Sequence, residues 1–323
     1  MHAHLPFVCL LLHLAPQATP PAPKPTITVS TIVPTATPVK HFALDAKQTR
    51  VALLTHDNLI SLRVRGSGES LWEKGDKREQ KTSIEIGGDF VFTVLTMHAQ
   101  HCFKIEDGET ASVVGAPDFM AETSCSAVDP LGRWVWLGSS ATVVQRITPT
   151  NVNGWSRRDL KHGGSTAMAL SPDGDWLAVA GADRTIRFVN SKSAQIEEKK
   201  VFEGLDAPAL TLAFDAKAAL LASTGDDKLI RIWTVASGKT RAKLTGHEGV
   251  VRALAFDPKA TTLAAGDDKG VVRLWGLQKA ELLLELPSSG GGAVTDLEFA
   301  DKGKTLIGAC GVNGLVVWDL SKL

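Results

Sequence analysis

Two Gly-Lys-Thr triplets, at residues 238–240 and 303–305, have the composition that ends a nucleotide-binding phosphate loop. Such a loop also needs a glycine five positions before the glycine of the triplet, and a helix after it. Trp233 and Glu298 occupy those leading positions, and no helical pattern follows either triplet. The triplets therefore predict turns between strands, and we expect no nucleotide cofactor.

His98, His101 and Cys102 lie close together in the sequence and are residue types that bind zinc. A zinc site needs three or four convergent ligands, whereas His98 and His101 would point to opposite faces of a strand. We interpret both histidines as part of a hairpin turn between the second and third strands of a sheet. The sequence also has no GxSxG, HExxH or calcium-loop motif, so no metal site is predicted.

Paired carboxylates at 226–227 and 267–268 are residues that acid–base catalysis uses. Both pairs fall between short apolar segments, where an Asp commonly hydrogen-bonds the backbone of a tight turn. Trp134 and Trp136, two residues apart on one predicted strand, are better explained by packing than by ligand binding. No catalytic residue is assigned, and the chain is predicted not to be an enzyme.

The overall charge is balanced, with 35 Lys and Arg residues against 35 Asp and Glu. Such a chain has no net field to attract nucleic acid or an anionic membrane. After the first few residues, no apolar run is long enough to cross a bilayer. Neither nucleic acid nor a membrane-spanning segment in the mature chain is expected.

The N-terminal residues 5–14 form a short apolar run with the length of a signal-peptide core, although no Lys or Arg precedes it. We predict a signal peptide at residues 1–18 and a periplasmic or secreted protein. A cytoplasmic protein with a misassigned start is the alternative. Cleavage would leave Cys102, Cys125 and Cys310, an odd number that favours buried thiols, and whether any of them pair stays open.

The chain has a period of about 42 residues. An apolar residue that closes a short apolar run and precedes a turn recurs at intervals of 42, 42, 42, 44, 42 and 43, namely Leu44, Ile86, Val128, Leu170, Phe214, Phe256 and Phe299. This spacing indicates a repeat architecture. Residues 246–286 show one repeat clearly, as four short strands separated by polar turns. Each repeat is therefore predicted to be a four-stranded antiparallel sheet.

The last repeat contains residues for only three strands. Residues 26–33 (TITVSTIV), within a Pro- and Thr-rich segment at 19–38, alternate like a strand with Ile27, Val29 and Thr31 on one face. We predict that this strand pairs beside residues 315–320 and closes the ring, because closure removes the exposed edges of the end sheets.

The later repeats share a sequence pattern. It consists of Gly246-His247, the stretch 221–233 ending at Trp233, the "RLW" ending at Trp275, and Trp318-Asp319, while Val189 and Asn190 take the Trp-Asp positions of the fourth repeat. With this pattern the later repeats resemble the WD40 repeat family. It covers about half the chain, and the first three repeats match only in spacing, alternation and turns. The resemblance implies an all-β, seven-bladed β-propeller with blades at about 39–79, 80–121, 122–163, 164–206, 207–248, 249–290 and 291–323 plus 26–33.

The family's stabilising network joins a His, a Ser or Thr, an Asp and the Trp within one blade. On this pattern the network residues are Ser223, Asp227, Trp233, His247, Asp268, Trp275 and Trp318. No repeat has all four, since Leu205 replaces the His of the fifth repeat and Ala265 the hydroxyl of the sixth. Each missing hydrogen bond forgoes about 1 kcal/mol, so we expect a propeller held mainly by apolar packing.

The resemblance also implies where partners bind, just before and within the innermost strand of each blade. These positions are Lys40, Gln80, Thr82, Glu122, Ser124, Thr166, Leu210, Val250, Arg252 and Thr295. The set is mixed and weakly charged, which favours a protein or peptide partner, and it contains no convergent cluster of acids or histidines. The predicted function is a monomeric, non-enzymatic interaction scaffold without a cofactor. The alternative is a propeller enzyme or a binder of a small ligand or metal in the central channel.

Overall fold

The computed structural model describes residues 27–75, 81–95, 99–115, 123–148, 151–287 and 292–323. Within these ranges the chain forms strands and one short 3₁₀ helix at Asp301–Gly303. None of the described helical residues could form a membrane-spanning helix. The predicted all-β class is confirmed.

The strands are, in chain order, β1 (Thr28–Ile32), β2 (Val39–Leu44), β3 (Arg50–Thr55), β4 (Ile60–Val64), β5 (Ser70–Lys74), β6 (Lys81–Gly87), β7 (Phe90–Leu95), β8 (Ala99–Lys104), β9 (Thr110–Gly115), β10 (Thr123–Val128), β11 (Val135–Ser139), β12 (Val143–Thr148), β13 (Asn151–Asp159) and β14 (Ser165–Leu170). They continue as β15 (Trp176–Gly181), β16 (Ile186–Asn190), β17 (Gln195–Phe202), β18 (Ala209–Phe214), β19 (Leu220–Gly225), β20 (Ile230–Thr234), β21 (Lys239–Leu244), β22 (Val251–Phe256), β23 (Thr262–Asp267), β24 (Val272–Gly276), β25 (Glu281–Glu285), β26 (Asp296–Ala300), β27 (Thr305–Ala309) and β28 (Leu315–Asp319).

These strands form seven four-stranded antiparallel sheets, which are the blades of a ring. Blades one to six each use four consecutive strands, from β2–β5 to β22–β25, and blade seven has the order β1-β28-β27-β26. The first of the four consecutive strands is innermost in blades one to six, and β26 is innermost in blade seven, where β1 is the outer strand. The predicted seven-bladed propeller is confirmed.

Burial decreases from the inside of a blade to its rim. In blade five every residue of β19 is buried, whereas the outer strand β21, KTRAKL, is largely exposed. The middle strands are covered on both faces by the neighbouring blades, and the apolar clusters of the core accordingly join residues of adjacent blades. Packing between blades is therefore the main source of stability.

In several blades an aspartate closes the turn that follows the innermost strand. In blade six Asp257 accepts the backbone N–H groups of Thr261 and Thr262, both at 2.6 Å, and Asp45 does the same for Thr49 and Arg50 in blade one. This side-chain bond satisfies donors that the turn would otherwise leave unpaired. It explains why the repeating apolar residue is so often followed by Asp.

The ring is closed by β1, which pairs antiparallel with β28 from Thr28 opposite Asp319 to Ile32 opposite Leu315. Ile27 and Val29 pack against the cluster between blades six and seven, and Val33 is buried in the cluster between blades seven and one. Thr31 is exposed, so the apolar contacts continue through Ile32 and Val33 instead. The predicted closure by an N-terminal strand is confirmed.

Two smaller predictions concern the histidines at 98 and 101 and the cysteines. The prediction of a turn at His98 and His101 is wrong for His101, which lies within β8 opposite Thr93, while His98 lies outside the described residues. Neither Cys125 nor Cys310 is in a disulfide within the described part of the chain. Burial raises the pKa of the Cys125 thiol to about 12, which makes it a poor nucleophile.

Candidate functional site

The central channel is lined by the seven innermost strands and encloses about 690 Å³. The inner edge of each of these strands faces the channel, so its backbone N–H and C=O groups have no further strand to pair with. Such groups need side chains or water as partners. We call the end of the channel where the innermost strands begin the upper face.

Side chains at the upper face bond from one blade to the next. Ser124 Oγ donates to the carbonyl of Ser165 at 2.6 Å, and Thr166 Oγ1 donates to the carbonyl of Ala209 at 2.6 Å. The same kind of bond is made by Lys40 to Lys81 at 2.7 Å, by Thr211 to Arg252 at 2.8 Å, and by Thr295 to Lys40 at 2.5 Å. Four of the predicted partner-contact residues thus use a side-chain donor to connect blades.

The other predicted contact positions differ from these four. Leu210 and Val250 are half-buried, and Arg252 is exposed. Within the described ranges the guanidinium of Arg252 forms no hydrogen bond or ion pair. Gln80 and Glu122 lie outside the described residues, and Thr82 lies in β6.

Four ionisable side chains that the sequence analysis missed lie on the channel wall. His41 Nδ1 is 2.8 Å from Asp296 Oδ2, which also accepts the backbone N–H of Phe42, while Glu85 and Glu298 lie further along the channel. Three carboxyl groups and one imidazole therefore line the channel. Within the described part of the chain, no group of three or more such residues has the arrangement of a metal site.

The two glutamates also connect blades. Glu85 accepts the backbone N–H of Val128 at 2.9 Å and the hydroxyl of Ser126 at 3.0 Å, and Glu298 accepts the backbone N–H of Leu44. A signal for them was present in the sequence. The residue just before each periodic apolar position is Ala in five repeats and Glu in the other two, as seen in Ala43, Glu85, Ala127, Ala169, Ala213, Ala255 and Glu298.

Burial makes these carboxyl groups hard to ionise. It raises the pKa of Glu298 to about 8 and also raises the pKa of Glu85, and in each case the nearby Asp296 adds to the increase. The Lys40 ammonium at the upper face has a lowered pKa for the same reason, burial. The channel wall therefore carries less negative charge near neutral pH than its composition suggests.

Glu298→Gln should make the protein less sensitive to alkaline pH. The native state holds the Glu298 proton more tightly than the unfolded chain does, so stability falls as the pH rises from about 4.5 to about 8. Glutamine stays neutral and still offers an oxygen to Leu44, so we expect a gain of about 2 kcal/mol at pH 9 and little change at pH 5. Chemical denaturation at both pH values measures this. Glu109→Gln, at an exposed position, is the control. If Glu298→Gln loses as much stability as the wild type between pH 5 and pH 9, the prediction is wrong.

Some residues of the predicted blade network have different hydrogen-bond partners in the structure. In blade five Trp233 Nε1 donates to Ser223 Oγ at 2.8 Å, but Asp227 binds the Arg231 guanidinium at 2.6 Å instead of a histidine. Arg231 also binds Asp206 and is almost fully buried. Asp227 is thus paired with an arginine, where the family's pattern has a histidine as its partner.

In blade six the aspartate that binds His247 is Asp267, at 2.9 Å, and not the predicted Asp268. The side chain of Asp268 accepts the backbone N–H of Val250 instead. Asp267 is the last residue of β23, so this residue and not Asp268 of the following turn faces the imidazole. Within the described part of the chain Trp275 Nε1 has no hydrogen-bond partner, because Ala265 stands where a hydroxyl would accept it.

In blade seven Trp318 Nε1 donates to the carbonyl of Pro287 at 3.1 Å, which belongs to the connection from blade six. The third-strand register places Trp318 opposite Leu306, as Trp233 is opposite Leu221 and Val189 opposite Leu177. In the first three blades the same register position holds Arg63, Phe103 and Ile147. In these three blades, as in blade four, this register position holds no Trp.

Comparison with known proteins agrees with this geometry. The model for "WD domain, G-beta repeat" matches residues 156–190, 197–234 and 238–276. Each match begins in the outer strand of one blade and ends in the third strand of the next, so a sequence repeat spans two blades. This offset explains why an N-terminal strand is needed to complete blade seven.

Curated relatives match only parts of the chain. WD repeat-containing protein 1-B of Xenopus laevis is 34% identical over 82 residues, which are 25% of this chain and 13% of the relative, and WD repeat-containing protein 1 of Gallus gallus is 28% identical over 153 residues, 47% and 23%. WD repeat and HMG-box DNA-binding protein 1 of Homo sapiens is 32% identical over 68 residues, 21% and 6%. The matches thus span less than a quarter of each relative. With the repeat matches and the seven sheets together, the chain is a seven-bladed β-propeller with WD40 repeats at residues 156–276.

Proposed function

We propose that this propeller is a non-enzymatic interaction scaffold that docks a protein or peptide on its upper face. WD40 propellers are generally scaffolds for protein interaction, and the relatives are named as WD repeat-containing proteins. The polar side chains of the channel wall form hydrogen bonds to neighbouring blades and therefore have a structural role. A partner would instead contact side chains of the upper face that make no such hydrogen bond.

Arg252 is the observation that supports this proposal. It is exposed at the channel mouth on β22, and its guanidinium has no partner in the described part of the chain. Leu210 of the preceding blade also lines the channel and is half-buried. An arginine beside apolar side chains is the composition that carries much of the binding energy in protein interfaces.

Arg252→Glu should remove partner binding without loss of stability. Affinity purification with quantitative mass spectrometry would compare the wild type with Arg252→Glu and with Arg50→Glu, an exposed arginine at the start of β3, at the end of blade one opposite the upper face. We expect proteins enriched by the wild type and by the Arg50 variant to fall at least about tenfold with Arg252→Glu. Equal recovery by all three proteins would contradict docking at this face.

We further propose that the protein works outside the cytoplasm. The proposal rests on the apolar run at residues 5–14 and the Pro- and Thr-rich segment that follows it. N-terminal sequencing of the mature chain tests it directly. An intact Met1 would favour the cytoplasm.

The channel carboxylates are the one observation that favours the alternative, a small-ligand or metal binder. Their hydrogen bonds to Leu44, Phe42 and Val128 account for them without a ligand. Metal analysis of the purified protein distinguishes the two functions. A stoichiometric ion would favour the channel over the upper face.

A further inference from the structure

The outer strand of blade six, β25, differs from the outer strands of blades four and five. Those strands, β17 and β21, carry the charged sequences QIEEKKVF and KTRAKL, which discourage pairing with another chain. Strand β25 reads ELLLE and exposes Leu282 and Leu283 by 46% and 52%. Between Glu281 and Glu285 its outer edge is therefore apolar and lacks the charges that interrupt β17 and β21.

Two clefts lie on either side of β25. The larger, of about 870 Å³, lies toward blade seven and is lined by Leu282, Leu283 and Leu284. The smaller, of about 510 Å³, lies beside the turns of blade six and is lined by Leu283 and Arg241. A strand added at this edge would place its side chains alternately toward the two faces of the sheet. In strand addition, pockets on these faces select the side chains of the added strand.

The surroundings of β25 are basic. Lys259, Lys302 and Lys304 line the larger cleft and are exposed, and their ammonium groups form no ion pair within the described residues. The nearby Glu285 is paired with Arg273 at 2.8 Å. The cleft thus offers positive charge next to exposed leucines.

We infer that β25 is a second docking edge, at which an extended partner segment with alternating apolar and acidic side chains adds as a fifth strand to blade six. The apolar side chains contact Leu282 and Leu283, and the acidic ones pair with Lys259, Lys302 and Lys304. A second copy of the chain is a poor occupant, because antiparallel self-pairing centred on Leu283 would place Glu281 opposite Glu285. This edge is separate from the upper face, and its occupation does not depend on Arg252.

Titration calorimetry of the full chain with synthetic peptides tests the inference. The probe is a capped octapeptide in which Val or Leu alternates with Asp or Glu, compared with one carrying Lys for every acid and one with methylated backbone nitrogens. We expect saturable binding of the acidic peptide alone, because the lysine peptide repels the cleft and the methylated peptide cannot pair as a strand. Equal binding of the methylated peptide, or no binding of the acidic one, would overturn the inference.

Variants provide the matched control. Lys259 and Lys217 occupy the same turn of blades six and five, and both are exposed. The double variant Lys259→Glu/Lys304→Glu should weaken binding at least about tenfold, while Lys217→Glu should change it less than about twofold. Equal weakening by Lys217→Glu would show a general charge effect and overturn the site. Sedimentation that shows a dimer lost in Leu283→Asp would assign the edge to a second copy instead.

Discussion

Removing residues 27–33 is expected to lower the melting temperature by more than about 10 °C, because it opens the ring. Strand β1 pairs along the whole of β28, and Val33 is buried in the cluster between blades seven and one. Ile27 and Val29 also cover the cluster that contains Trp318. Losing several such contacts costs a few kcal/mol, and each kcal/mol corresponds to about 2–4 °C in a domain of about 150–250 residues.

Thermal denaturation followed by circular dichroism measures the effect of this deletion. A chain that lacks only residues 1–25 keeps β1 and should melt within about 2 °C of the full chain. The variant that lacks residues 27–33 should also associate as its concentration rises, because β28 becomes an unpaired edge. Equal melting of the two variants would mean that the ring does not depend on β1.

The fold was predictable because the period is built from local signals that recur. The apolar position exemplified by Leu44 and Phe256 is the last or the second-last residue of each inner strand. Where an aspartate follows it, as in these two blades, its carboxylate accepts the next N–H groups. Closure by β1 was predictable for a related reason. The last repeat has residues for only three strands, and residues 26–33 have the pattern of a strand without a neighbour in sequence. Pairing of the two completes the seventh blade.

The channel residues were harder to predict, because their role depends on contacts between blades. Within its own strand Glu298 is simply a polar residue between Leu297 and Phe299, and only the ring brings it to the N–H of Leu44. Asp267 and Asp268 are similarly adjacent in sequence, and only their places in the fold, at the end of β23 and in the turn after it, decide that Asp267 binds His247. Spacing determines the blade but does not determine these side-chain partners.

Asp227→Asn should destabilise the protein by about 3 kcal/mol, because it removes a charge from a buried ion pair. The Arg231 side chain is only 1% exposed, and its Nη1 is 2.6 Å from Asp227 Oδ2. Asparagine keeps an oxygen for the backbone N–H of Leu229, so the turn itself is retained. The buried guanidinium would then rely on Asp206, which is mostly solvated.

Blade four provides the matched control for this ion pair. Asp183 and Arg187 occupy the corresponding turn and strand positions, but their side chains are 30% and 23% exposed and their closest atoms are 3.3 Å apart. Asp183→Asn should therefore cost less than about 1 kcal/mol in urea denaturation. A similar loss from both substitutions would mean that burial is not what makes the blade-five pair important.

The double variant Asp227→Asn/Arg231→Met separates the strength of the ion pair from the penalty of an unpaired charge. If the loss in Asp227→Asn comes from leaving Arg231 buried without its main partner, removing the guanidinium should restore at least half of the stability. If the double variant is instead as unstable as the sum of the two single variants, the pair itself stabilises blade five. The first outcome is expected, because an apolar side chain at position 231 fits among the buried residues of β20 and brings no charge that needs a partner.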